Sequence, residues 1–221
     1  MIAEELINYS IPPLKKTDTA QMALLWMEEM RVNQLPVIEA NKFKGMISEE
    51  MILEGNTLEA RVGDYQLQGE NCYLTPEQHL FDFIRLAGEH HTDLVALLDE
   101  EGKFNGIVTL DNALQALAQT NMIQSPGGII VLSMRQIDYS LAHISRLAEE
   151  NQAKILGLYT QDDPQNPHML TLTLKLNTKD LQTVKATFER FDYHIIATFE
   201  KSTVITSDQE RINHLLKYLD I

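Results

Sequence analysis

The strongest constraint on this chain is a segment that occurs twice, about sixty residues apart. The first copy reads T-A-Q-M-A-L-L-W-M-E-E-M from Thr19, L-P-V-I from Leu35 and K-F-K-G-M-I-S from Lys42. The second reads H-L-F-D-F-I-R-L-A-G-E-H from His79, L-V-A-L-L from Leu94 and K-F-N-G-I-V-T from Lys103. Each copy predicts a helix, a buried strand, a short turn, a second strand and another helix. A unit this small cannot bury its apolar faces alone, so the two are expected to pack into one pseudo-symmetric module. Such a module has clefts between its halves, a shape suited to sensing more than to chemistry.

Local signals fill in the outline. An amphipathic helix over 2–9 is stopped by Pro12-Pro13. Thr17 or Asp18 then caps a helix through Met30, with Met22, Leu25, Trp26 and Met30 as its apolar stripe. Strands over 35–38 and 45–47 lead into a helix from Ser48 to near Gly55. Gly63, Asp64 and Gly69 mark the join over 56–72. In the second copy Thr75-Pro76 reads as an N-cap with proline at the first helical position, followed by a stripe of Leu80, Phe83, Ile84 and Ala87. The apolar run 94–98 predicts a strand covered on both faces. A strand over 103–108 and a helix over 111–119 close the repeat.

Ser125-Pro126-Gly127-Gly128 reads as a boundary, giving domains over 1–122 (repeats about 1–57 and 65–122) and 126–221. After it the grammar changes. Strands over 129–134, 153–159, 169–176 and 194–199 are interspersed with helices over 139–150 and 178–191, the first of which carries Leu141, Ile144, Leu147 and Ala148 on one face. A polar loop is expected over 161–168, and Leu170, Leu172, Leu174 and Leu176 alternate with a wet face of Thr171, Thr173 and Lys175. The order β-α-β-β-α-β is that of a ferredoxin-like unit. Ser207 and Glu210 form a capping-box match that opens a last helix to about Tyr218.

Charge and cysteine usage exclude several classes. Residues 1–122 hold 8 Lys and Arg against 20 Asp and Glu, hence −12 of the total −14. That field repels a phosphodiester backbone, so no nucleic acid is expected as partner. No apolar run reaches the roughly 18 residues needed to span a bilayer, so no membrane partner is expected either. Glu4 and Glu5 stand where a signal peptide carries basic residues, and Cys72 is the single cysteine, so a cytoplasmic location without disulfides is expected. The group Glu89-His90-His91-Thr92-Asp93 makes a poor chelate because adjacent helical residues point about 100° apart. Nucleophile-elbow, phosphate-loop and zinc-protease motifs are missing, so the chain is expected not to be an enzyme.

The paired segments resemble the cystathionine-β-synthase (CBS) domain, a regulatory module that works in tandem. L-P-V-I at Leu35, G-M-I-S at Gly45, L-V-A-L-L at Leu94 and G-I-V-T at Gly106 carry the likeness. The C-terminal part resembles an ACT-type domain, and the whole layout is similar to the acetoin utilization protein family. The fold class implied is α+β / α/β: a tandem CBS pair followed by a ferredoxin-like ACT-type domain. The resemblance implies a non-catalytic regulator that senses an adenine nucleotide (AMP, ADP, ATP or S-adenosylmethionine) between the repeats. It also implies a homodimer, and a partner protein regulated by it. Ligand contacts would come from Ser48, Glu50, Thr109, Asp111 and Asn112, with Pro12, Leu35 and Leu94 as walls. The ribose-holding Asp of nucleotide-binding CBS domains, three residues after the strand-end hydroxyl, is here Met51 in one copy and Asn112 in the other. An ACT ligand site would use Asp138, Tyr139 and Ser140, without the glycine usual there. The missing Asp motivates an alternative reading, a structural interaction module with no small-molecule ligand.

Overall fold

Two sheets of identical topology carry the repeats. The computed structural model describes residues 1–55 and 57–200, and divides the chain into Met1–Ala118 and a second unit from Gln119 onward. In the first unit, β1 (Leu14–Lys15) lies parallel to β2 (Gln34–Glu39), which pairs antiparallel with β3 (Lys42–Ser48). The second copy repeats this with β4 (Tyr73–Leu74), β5 (Leu94–Leu98) and β6 (Phe104–Thr109). Helices α1 (Ala20–Met30) and α2 (Glu49–Gly55) belong to the first copy, α3 (Leu80–His90) and α4 (Leu110–Ala118) to the second. Arg31 and His91, which end α1 and α3, both turn left-handed, at φ 55° and 50°. The likeness of the copies therefore reaches their helix caps.

The repeats are interleaved, not merely adjacent. The N-terminal segment crosses to the second copy, where Asn8 N donates to Ile107 O at 2.7 Å. The linker between copies folds back onto the first, with Met46 N donating to Gln68 O at 2.7 Å and Gln68 N to Met46 O at 3.0 Å. One face of β5–β6, carrying Leu94, Ala96, Leu98 and Ile107, packs into the core of the first copy. The other face, carrying Val95, Leu97 and Val108, packs under its own helices with Leu80 and Phe83. This double coverage is why β5 is apolar at every position.

Several local expectations give way to the tertiary frame. Only a 3-10 turn, Ala3–Leu6, forms within 2–9, because the chain then spends its hydrogen bonds on the neighbouring repeat. Thr19, not Thr17 or Asp18, caps α1, its Oγ1 accepting from Met22 N at 3.2 Å. Asp18 instead accepts from Lys15 N. The buried side of α1 is Ala20, Ala23 and Met27, and Met22 and Leu25 are exposed. Trp26 is half-buried against the core. In the second copy His79 caps α3 through Nδ1, while Thr75 and Gln78 close a turn of their own ahead of it. Leu86 replaces Ile84 on the buried stripe.

The second unit is one four-stranded antiparallel sheet of order β10-β7-β9-β8, built from β7 (Ile129–Arg135), β8 (Ile155–Asp163), β9 (Asn166–Leu176) and β10 (His194–Phe199). Helices α6 (Leu141–Glu150) and α7 (Gln182–Arg190) cover one face. This is the ferredoxin-like order expected from β-α-β-β-α-β. The short helix α5 (Asn121–Gln124) belongs to this unit, since Met122 sits directly on Gly157, whose missing Cβ would lie 2.7 Å from the sulfur. The division accordingly falls ahead of the Pro-Gly-Gly stretch. The expected loop over 161–168 is mostly strand, because β8 and β9 continue pairing to a tight turn at Asp163–Asn166. Thr173 and Lys175 are buried, so the expected wet face is covered at both. Lys175 Nζ donates to Gly127 O at 3.1 Å. Leu141 is exposed, leaving Ile144, Leu147 and Ala148 as the buried side of α6. The capping box at Ser207 and its helix lie outside the described residues.

Candidate functional site

Interleaving gives two pseudo-equivalent places where a returning segment meets a strand, Gln68 on Met46 and Asn8 on Ile107. Registers and helix caps fix the correspondence, with Leu14 matching Leu74, Val37 matching Leu97 and Arg31 matching His91. The first cleft is a cavity of about 90 Å3 lined by Gln34, Met46, Gln68, Gly69, Cys72, His90 and Thr92. The matching positions of the second are Leu94, Ile107, Asn8, Tyr9, Pro12, Met30 and Val32. At four of these positions a polar or ionisable side chain, Gln34, Cys72, His90 or Thr92, corresponds to an apolar one, Leu94, Pro12, Met30 or Val32, whereas Gln68 and Gly69 correspond to the polar Asn8 and Tyr9.

Within the polar cleft, Gln34 Nε2 donates to Thr92 Oγ1, a bond that spans the two repeats. Thr92 Oγ1 in turn donates to Leu94 O at 2.7 Å. The Cys72 thiol is 2% exposed and has no hydrogen-bond partner among the described residues. Burial pushes its pKa up, and Glu89 adds to the shift by repelling a thiolate. It is a protonated, weak donor at neutral pH. A larger groove of about 480 Å3 shares Gln68 with this cavity and is lined by Met51, Glu54, Gly55, Tyr65, Gln66 and Leu67. Alone the inner cavity is below the ~300–1,000 Å3 of ordinary ligand clefts, but the groove falls within that range.

The residues singled out from sequence are placed as follows. Ser48 and Thr109 end β3 and β6, and their hydroxyls cap the helices that follow: Ser48 Oγ accepts from Met51 N at 3.3 Å and Thr109 Oγ1 from Asn112 N at 3.2 Å. Thr109 Oγ1 also donates to Asn112 Oδ1 at 2.5 Å, so this pair is already satisfied internally. Glu50 and Asp111 are exposed in the first turns of α2 and α4, and Asp111 accepts from Gln115. Leu35 and Leu94 are fully buried in the core and form no open wall. Pro12 is half-buried and lines none of the cavities described above. Sequence reasoning missed Gln34, Gln68, His90 and Thr92, whose cleft exists only through the pairing of different repeats. It also passed over Glu54, although its i+3 spacing from Met51 puts both on one helix face.

In the second unit, Asp138 is taken by Arg135, with Nε donating to Oδ2 at 2.6 Å and Nη2 to Oδ1 at 3.0 Å. That hydrogen-bonded partner holds the Asp138 carboxyl below its usual range. Ser140 Oγ caps α6 by accepting from His143 N, and Tyr139 packs on the core. The three expected ACT-site residues are each committed to local structure. A cavity of about 630 Å3 elsewhere in this unit is lined by Ser145, Glu149, Gln152, Ala153, Lys154 and Ile155. No group of three or more His, Cys, Asp or Glu among the described residues is placed to hold a metal.

No family model matches the sequence. A solved structure of a CBS domain pair/ACT domain protein from Thermotoga maritima is similar to this chain, with a TM-score of 0.50 at 22% identity, covering 54% of this chain and 98% of that one. The first unit has the fold of a CBS domain pair. The covered share, 54% of the chain, is about the length of Met1–Ala118, the unit built of two β-α-β-β-α copies with exchanged segments. CBSX2, solved in complex with AMP, is similar at a TM-score of 0.47 and 23% identity over 53% of this chain and 96% of its own. The cytosolic domain of the Mg2+ channel MgtE, solved in complex with ATP, is similar at 0.43 and 19% over 50% of this chain and 46% of its own. Among the described residues no helix is long and apolar enough to cross a membrane.

Proposed function

We propose that this chain is a non-catalytic regulator whose CBS pair binds an adenine-bearing ligand in the polar cleft. A carboxamide offers one acceptor and one donor in a plane, the pattern that pairs with the N6 and N7 edge of adenine. Gln34 supplies that carboxamide, with Thr92, His90 and Cys72 around it. The single observation that carries the reading is the polar lining of this cleft, with Gln34, His90 and Thr92 where the other copy has Leu94, Met30 and Val32. In a purely structural module both clefts need only pack. In this reading the second unit is an ACT-type domain, the layout is that of the acetoin utilization proteins, and the chain works as a cytoplasmic homodimer that passes the change to a partner. Exposed apolar side chains on the helices of the pair, Met22, Leu25, Phe81 and Leu114, support self-association.

Ligand binding shifts the orientation of the repeats by breaking the bond between Gln34 and Thr92, which ties one copy to the other. Its leverage is limited to its difference in affinity for the two arrangements, typically 1–3 kcal/mol. Thermal unfolding of the chain against AMP, ADP, ATP, S-adenosylmethionine and adenosine tests the reading. A ligand at about 100 times its Kd adds roughly 2.7 kcal/mol. The expected result is a rise of several degrees with one or more of them, lost in Gln34→Leu and retained in Leu94→Met. No shift with any adenine compound would leave the interaction module as the better account.

A further inference from the structure

Helix α4 closes the first unit, and the second unit begins at Gln119. Gln119 and Thr120 alone separate α4 from α5 in the chain, a reach of at most about 7 Å. The two ends of segment 121–128 are fastened differently to the second unit. At the far end Gly128 N donates to Thr178 O at 2.7 Å, Leu176 N donates to Gly128 O at 2.9 Å, and Lys175 Nζ donates to Gly127 O at 3.1 Å. A Cβ at Gly127 would lie 1.8 Å from Leu176 O, so backbone meets backbone there without slack. At the near end α5 is a single turn of four residues, none of them buried. Its Met122 is seated on Gly157 of β8, where an added Cβ would lie 2.7 Å from Sδ, 2.8 Å from Cγ and 3.0 Å from Cβ. A helix shorter than about 12–15 residues is marginal by itself in water, so this turn depends on its seat. The seat is also where the sheet is weakest: β8 is an edge strand, and a glycine inside a strand brings no side chain to pack.

We propose that α5 is a strap that couples the two units: displacement of the end of α4 pulls Met122 off Gly157, unwinds the turn and loosens β8. This rests on the reading that the first unit passes a change onward. A joint of two residues transmits a displacement of more than a few ångströms instead of absorbing it, and the fastening at Gly127 and Gly128 anchors the far end against the pull. Side-chain packing at Met122 favours the seated state, and the conformational freedom regained by the unwound turn favours the lifted one. These two opposed arrangements of one segment are the kind of element that carries a coupling.

Hydrogen exchange of the full chain, resolved strand by strand, tests the strap. Ala113 is buried in α4 among the core residues of the second copy, and Ala113→Gly loosens that helix from within the first unit. Exchange in β8 should then accelerate by about two- to thirtyfold, the span of coupling carried by single residues, while the interior strand β9 keeps its rate. Placed in Met122→Ala, where the seat is already lost, Ala113→Gly should change β8 no further. Met122 is only half-buried, so that variant folds, and Gly157→Ala, which evicts the same side chain from the other side, should act alike. No acceleration in β8, equal acceleration with and without Met122, or equal acceleration in β9 overturns the strap. Thermal shift with the adenine compounds reads ligand binding with the strap intact, so a missing coupling and a missing ligand are told apart.

Discussion

Gly45 and Gly106 occupy matching places in the two copies, at φ 122° and 140°, yet their replacement by alanine should cost different amounts. At Gly45 an added Cβ would lie 2.7 Å from the backbone oxygen of Gln68 and 3.1 Å from Leu67 Cβ. That oxygen is the acceptor for Met46 N, so the linker cannot retreat without losing the bond that pins it to β3. An L-residue at this φ costs about 1–3 kcal/mol. Weakening the Met46–Gln68 pair adds about 1 kcal/mol. Gly45→Ala should therefore destabilise the CBS pair by about 2–4 kcal/mol. At Gly106 the Cβ would meet Ile7 Cγ2 at 2.6 Å and nothing else within 4.0 Å except Ile7 Cβ. A side chain can be trimmed; a carbonyl cannot. Ile7→Ala should accordingly recover about 1 kcal/mol of the cost of Gly106→Ala in a double-mutant cycle, whereas Leu67→Ala should recover little at Gly45. Urea unfolding followed by Trp26 fluorescence reports this unit selectively, because Trp26 is the chain's single tryptophan. A cost below about 1 kcal/mol at Gly45, or equal rescue at both sites, would refute the reasoning.

In the ferredoxin-like unit, Phe188 is fully buried between sheet and helices, and Phe188→Ala should cost about 3–5 kcal/mol, measured by circular dichroism in urea. Ser140→Ala removes the α6 cap and should cost about 1 kcal/mol in the same assay. The Asp138 carboxyl should titrate by NMR below the ordinary ~3.9 and return toward it in Arg135→Ala; because its folded pKa is lowered, its small contribution is present above the ordinary value and lost as pH falls. Cys72 shows the opposite sign. Its folded pKa is raised, so the contribution is present below the ordinary thiol value of ~8.5 and lost as pH rises past the folded one. The alkaline destabilisation expected of the parent chain should shrink in Cys72→Ala, and a pH profile of urea stability unchanged by that substitution would count against a desolvated thiol.

The repeat, the paired strands and helices of each copy and the ferredoxin-like topology were legible in the residues alone, whereas the two-residue strands β1 and β4 and the short helix α5 were not. The former follow from periodicity and punctuation, which are local. The all-apolar run Leu94–Leu98 alone announced a strand buried on both faces, and the structure covers one face from each copy. Helix α1 shows the limit of that kind of reading. Its sequence allows a stripe of large side chains at Met22, Leu25 and Trp26 or one of Ala20, Ala23 and Met27, and the close approach of the sheet selects the smaller set. The apparent wet face of β9 likewise depended on what lay above it, and Thr173 and Lys175 are covered. The cleft was least legible of all. Gln34, Gln68 and Thr92 are dispersed over nearly sixty residues and become neighbours only because each copy lends a segment to the other. Periodicity describes one element at a time, whereas a site shared by two copies is decided by their packing.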